Sequence, residues 1–233
     1  PVEYEITSDE LTPRDLSADR DRYIKAIENF EISHLLSFHF SGQAEARLKE
    51  VISTMLARHA RESHMGTIFH LLKELIINAA KANFKSAAQR WNQEQSQEFS
   101  LEKFKEMLKA DTEAYKLLKS KSKELGLWIK IKALIDEDGA YFLIKNNTLL
   151  SPTDNEKIRK KLEKAMSYDS LADFYMAQAM EGGEQEGAGI GFAMIITALK
   201  GMGLDGKYLT VGLENDATVA RLHIPFAALD KAS

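Results

Sequence analysis

Glu74-Leu75-Ile76-Ile77-Asn78-Ala79-Ala80-Lys81 is an apolar run broken by polar residues at regular steps. Glu74, Asn78, Lys81 and Lys85 stand at i, i+4, i+7 and i+11, which puts all four on one face of a helix. Leu72, Leu75, Ile76 and Ala79 fall on the core side. The pattern predicts a helix from about Ser63, a candidate N-cap, to Phe84. Asn is a mediocre helix former because its amide competes for backbone hydrogen bonds. Asn78, inside an otherwise strong helix, therefore points to a role beyond helix formation.

Upstream, Phe30, Ile32, His34, Leu36, Phe38 and Phe40 alternate with other residues, the period-2 signature of a strand. Ser41-Gly42 breaks it, and Leu48, Val51, Ile52, Met55 and Leu56 give a first helix over 44–61. Residues 1–29 are polar and charged and read as an arm with a short helix. Downstream, 92–124 is dense in charges of both signs, with Leu101, Phe104, Leu108, Tyr115 and Leu118 at helical spacing. It reads as a helical insertion of one or two amphipathic helices.

Trp128–Ile135 and Tyr141–Lys145 form a hairpin around Asp136-Glu137-Asp138-Gly139. Ser151-Pro152-Thr153-Asp154 starts a charged helix that runs to about Met166, and 167–189 reads as a long connection. Ile190–Leu199 is apolar on nearly every face, the pattern of a buried helix. Tyr208–Leu213 and Thr218–Phe226 make a last hairpin around Glu214-Asn215-Asp216, before a tail at 227–233. This order calls for an α/β two-layer sandwich, a mixed and largely antiparallel sheet with helices on one face. One domain over 30–226 accounts for it.

The second informative stretch is Gly187-Ala188-Gly189-Ile190-Gly191. Three glycines permit positive φ and close approach of backbone to a ligand. Their N–H groups, with the start of the following helix, suit a polyanion such as a triphosphate.

Bulk properties narrow the class. The 233 residues are 44% apolar, enough for a real core. A net charge of −4 gives no argument for nucleic acid or an anionic membrane. Without cysteine there is neither a disulfide framework nor a thiolate metal site. No apolar run reaches transmembrane length and no signal-peptide pattern opens the chain, so the expectation is a soluble, cytoplasmic protein with no membrane partner. Gly-x-Ser-x-Gly, P-loop and dinucleotide fingerprints are absent from the sequence.

In their order and context, the helix motif and the glycine loop resemble the corresponding motifs of the superfamily that unites DNA gyrase, histidine kinases and mismatch-repair ATPases (GHKL, the Bergerat fold). The element order matches over nearly all of 30–226. The resemblance implies ATP and Mg²⁺ as ligands, with Asn78 a ligand to the metal. Glu74 would orient or deprotonate the attacking group, and Lys81 would neutralise phosphate charge. Gly187, Gly189 and Gly191 would cover the phosphates, and Gly182-Gly183 would hinge a lid. Phe174-Tyr175 resembles the aromatic pair that many histidine kinases carry in that lid.

One motif departs from the family. Members read adenine with an Asp at a strand end, followed closely by a glycine. Here Asn146 takes the Asp position, Asn147 follows, and the glycine is missing. The Asn146 oxygen can still accept a hydrogen bond from the base if its amide faces away.

His34 sits in a strand pattern, too close to Asn78 for a phosphoacceptor helical hairpin to intervene, so it is a strand residue. His70, at i−4 to Glu74, has no third partner that would make a zinc site. An acceptor for phosphoryl transfer would then come from a protein partner or another domain.

Two readings stand. One is a signalling module that binds nucleotide with Mg²⁺ like the catalytic domain of a histidine kinase. The other is a nucleotide-free or weakly binding partner-switching module on the same fold.

Overall fold

The computed structural model describes residues 4–7, 32–37, 42–109, 112–149, 151–180, 190–214 and 216–232. Six strands form one sheet: β1 (Tyr4–Thr7), β2 (Ile32–Ser37), β3 (Ile129–Ile135), β4 (Gly139–Asn146), β5 (Leu209–Glu214) and β6 (Ala217–Pro225). Their spatial order is β1-β2-β3-β4-β6-β5. β1 pairs parallel with β2, and every other neighbouring pair is antiparallel. β6 lies between β4 and β5, so those two run in the same direction and the chain must cross over the sheet to join them.

The helices that make this crossover, those that precede β3 and a last one after β6 complete the fold. They are α1 (Gly42–Arg58), α2 (Met65–Glu94), α3 (Leu101–Met107), α4 (Glu113–Glu124), α5 (Pro152–Met166), α6 (Leu171–Met180), α7 (Ile190–Gly201) and α8 (Phe226–Ala232). Period-2 burial follows in β3: Ile129, Ile131, Ala133 and Ile135 are buried, and Lys130, Lys132 and Leu134 between them are only partly covered. The main core joins these strand residues to Ile52 and Leu56 of α1, Ile68, Leu72 and Ile76 of α2, and Ile195, Ile196 and Leu199 of α7. The result is an α+β two-layer sandwich.

Local chemistry sets the connections. Asp136 Oδ1 accepts from the backbone N–H of Asp138 and of Gly139, each at 3.0 Å, which closes the β3–β4 turn. A Cβ on Gly139 would stand 2.6 Å from the carbonyl oxygen of Ile224, so the neighbouring strand requires glycine there. Ser151 caps α5 by accepting from Asp154 N at 3.0 Å, with Pro152 at the first helical position.

Several elements depart from the sequence expectation. Tyr4–Thr7, assigned to a polar arm, is an edge strand; the rest of that arm, for which a short helix was expected, lies outside the described residues, as do the flanks Phe30, Phe38 and Phe40 of the β2 pattern. α2 starts at Met65 after a 3₁₀ turn that contains Ser63, with His64 as N-cap and no side-chain cap bond. It also runs ten residues past Phe84, to Glu94. The extension is held by a satellite core in which Phe84 and Ala88 pack against Phe104 of α3 and Leu118 of α4.

The connection at 167–189 contains α6, and the tail forms α8. α7 is buried through Ala193, Ile195, Ile196 and Leu199 but leaves Ile190 and Met194 exposed. Among the described residues no helix is long and apolar enough to cross a membrane.

Candidate functional site

α2 spans the sandwich, and its polar stripe meets two different environments. Near its middle, Glu74 reaches α7. A Cβ on Gly191 would overlap Glu74 Oε1 and stand 3.0 Å from its Cδ, so the carboxylate occupies the space a side chain at 191 would need. An alanine there would make the Glu74 carboxylate move aside. The contact also sets a negative charge at the first turn of α7, where the helix dipole favours it. Asn78, one turn further along α2, is half-buried on the same stripe. Gly187 and Gly189, like Gly182 and Gly183, lie outside the described residues.

Beyond Asn78 the stripe enters a cleft of about 680 Å³ between α2, α3, the 147–149 loop and α5. Its cations are Lys81, Lys85 and Arg90 from α2 and Lys157 and Lys161 from α5, set against one carboxylate, Asp154. Lys85 and Asp154 pair loosely at 3.7 Å. Burial, followed by the nearby charges of Lys157 and Lys85, holds the Lys161 ammonium below the usual lysine pKa, with Asp154 pulling the other way. Such a cluster repels itself and is relieved by an anion. Leu101 and Phe104 of α3 and Leu108 at its C-cap, with Leu149 and Ile158, supply most of the apolar lining.

Asn146 lies elsewhere. It is 2% exposed and is not among the residues that line the cleft. Its Nδ2 donates to Asn83 Oδ1 at 3.1 Å. Asn83, fully buried on α2, donates its own Nδ2 to the carbonyl oxygen of Trp128 at 3.1 Å and also accepts from Thr148 Oγ1 at 2.7 Å. The donation to Trp128 fixes the orientation of the Asn83 amide, and that in turn fixes Asn146 as donor. Asn147 is committed as well: its Oδ1 accepts from Trp128 N and its Nδ2 donates to Gly126 O, both at 2.8 Å.

The structure therefore brings Glu74 against Gly191, places Asn78 between that contact and the cleft, and puts Lys81 in the cleft. Asn146 is built into a hydrogen-bonded network beneath the cleft floor. Phe174 is buried, with its ring edge-on to Tyr168, so it acts in packing, while Tyr175 is exposed. His34 lies in β2 opposite Lys132. His70 is exposed, and among the described residues no group of three or more His, Asp or Glu could hold a metal unaided.

Three contributions had escaped the sequence reading. Asn83 had a signal, since it is a lone amide on the stripe Ile76, Ala80, Asn83, Ala87, which is otherwise apolar. Lys157 and Lys161 had none, because α5 is rich in lysine throughout. Nor did the apolar residues of α3 indicate which surface they would line.

No family model matches the chain, and no solved structure matches it. A protein of Treponema pallidum (strain Nichols), described as an uncharacterized protein, is 24% identical over 212 residues. The match takes in 89% of this chain and 40% of that protein, so the chain corresponds to less than half of its relative's length.

Proposed function

We propose that this chain is a nucleotide-binding signalling module, holding ATP with Mg²⁺ in the manner of the catalytic ATPase domain of histidine kinases. The observation that carries the reading is the contact between Glu74 and Gly191. The two stretches that resemble the metal-binding helix and the phosphate loop are more than a hundred residues apart in the chain, and here they touch. The cation-rich cleft that opens further along the same face of α2 is the second support.

In this reading the side-chain oxygen of Asn78 would hold Mg²⁺. Such an ion takes few protein ligands beside water and phosphate oxygens, so a single side-chain oxygen suits it better than a closed cage would. The ion supplies charge neutralisation at the phosphates when it is bound. Lys81 screens phosphate charge from the cleft side. By the resemblance, the glycine stretch Gly187, Gly189 and Gly191 would cover the phosphates. Glu74, released from Gly191, positions the attacking group. Phosphoryl transfer in such a site rests on positioning and charge stabilisation, with the acceptor brought by a protein partner.

The alternative is a partner-switching module that works without nucleotide, and one observation favours it. The amide at 146 is engaged with Asn83. Calorimetric titration with a non-hydrolysable ATP analogue, with and without Mg²⁺, separates the two. Saturable binding that needs the metal and is lost in Asn78→Ala, with the unfolding of the unliganded protein unchanged, supports the nucleotide module. No binding at millimolar ligand favours the alternative.

A further inference from the structure

We infer that a hollow on the sheet face turned away from the main core binds a small planar aromatic anion, its ring stacked on Tyr141 and its anionic group held between Lys132 and Arg221. The inference is independent of the nucleotide reading, because the hollow shares no lining residue with the cleft between α2 and α5.

The pleat of the sheet builds this site. Ala133, Phe142 and Leu222 belong to the main core, so their neighbours along β3, β4 and β6 project from the opposite face. Register arranges those neighbours in two rows. Leu134, Tyr141 and His223 are cross-strand partners in one row, and Lys132, Leu143 and Arg221 form the next. With Lys207, Tyr208 and Thr210 they line a hollow of about 420 Å³, within the range of about 300–1,000 Å³ typical of small-molecule sites.

Three observations set the ligand class. First, the aromatic row is a stack that a further ring can extend. Tyr141 and His223 lie 4.1 Å apart and 11° from parallel, and Tyr208 meets His223 edge-on at 5.4 Å. Tyr141 is 36% exposed, so its ring still has surface to cover. Second, the stack is apolar. His223 Nε2 is buried and makes no hydrogen bond, so ring contacts hold the imidazole, and burial keeps its pKa below the ordinary value. Third, the charged lining is Lys132, Lys207 and Arg221, with no carboxylate among the described residues that line the hollow. Leu143 separates Lys132 from Arg221 in their row, so an anionic group above it is flanked by both. Arg221 also pairs with Glu214, and Lys132 has a contact of its own, but a guanidinium offers five N–H donors and an ammonium three.

The test is an NMR titration of the full chain with 2-naphthoate, with 2-naphthalenemethanol, which lacks the charge, and with decahydro-2-naphthoate, which lacks the aromatic ring. The expected result is saturation by 2-naphthoate with a Kd of about 1 mM or below, shifting the amide signals of Lys132, Tyr141, Leu143 and His223. Each analogue should bind at least about fivefold more weakly. Tyr141→Leu keeps an apolar side chain without a ring and should remove most of the preference over the saturated acid. Arg221→Gln should remove most of the preference over the alcohol.

The three-ligand comparison on the parent chain stands even if a variant fails to fold. Failure of 2-naphthoate to approach saturation by about 5 mM would overturn the inference. So would equal binding of the three ligands, shifts confined to other parts of the chain, or folded variants that keep both preferences.

Discussion

Replacing Asn83 with alanine removes a side chain that makes three hydrogen bonds from a fully buried position. Each partner left behind bears a different cost. Thr148 is half-buried and can turn its hydroxyl to water, so its loss is about 1 kcal/mol. Asn146 is 2% exposed, and the Nδ2 that faced Asn83 is left without a partner, at about 1–2 kcal/mol. The Trp128 carbonyl, at the head of β3, costs a similar amount. The expected total is about 4 kcal/mol, read as a shift in urea midpoint at constant slope. For a domain of this size that corresponds to roughly 8–16 °C in melting temperature.

Asn83→Asp should lose nearly as much, because a carboxylate cannot donate to Trp128 O. Thr148→Val, which deletes one bond at the network's edge, should cost about 1 kcal/mol. A loss below about 1 kcal/mol for Asn83→Ala would refute the network. So would an Asn83→Asp variant as stable as the parent, because no donation to Trp128 would then be needed.

Gly191→Ala should leave the melting temperature within about 3 °C. A methyl at that helical position gains up to about 1 kcal/mol of propensity, and displacing the Glu74 carboxylate costs a similar amount. If nucleotide binds as proposed, the same variant should lose at least about tenfold in Mg²⁺-dependent affinity, measured by calorimetry; unchanged affinity would separate the contact from the site. Asn146→Asp sets a carboxylate oxygen against Asn83 Oδ1 and should cost about 2 kcal/mol at neutral pH, narrowing as the carboxyl protonates in acid; a stability difference that is flat with pH would contradict it.

His223 titrates below its ordinary value because of burial, partly offset by Asp136. It is neutral in the folded chain, so stability should fall as pH drops below about 6.5, where the unfolded chain takes up a proton first. The fall should be smaller in His223→Gln, as thermal melts at pH 7.5 and 5.5 would report.

The order of strands and helices was legible because periodicity in the chain reports which side of each element is buried. Ile129, Ile131, Ala133 and Ile135 alternate in the sequence and alternate in burial. Where that signal is weak the reading failed. α6 buries Phe174 and leaves Tyr175, Met176 and Met180 exposed, so its apolar residues follow no single face. β1 has four residues, too few to show a period. The last ten residues of α2 mix Ala with Lys, Ser, Gln and Asn, and their helical state depends on the α3–α4 pair packed against them.

Turns, caps and the polar stripe of α2 are encoded within a few neighbouring residues, so Asp136 in its turn, Ser151 at its helix end and the alignment of Glu74, Asn78 and Lys81 can be read directly from the chain. The fate of each polar group is another matter. The Asn146 amide could turn to a ligand or to a neighbour, and Asn83, 63 residues away, decides which by accepting a hydrogen bond from its Nδ2. Lys161 is one lysine among many in α5 until the cleft it shares with Lys85 of α2 forms and partial burial strips water from its charge. Hydrogen-bond commitment and desolvation depend on groups that approach from remote parts of the chain, and those neighbours exist only once the layers have packed.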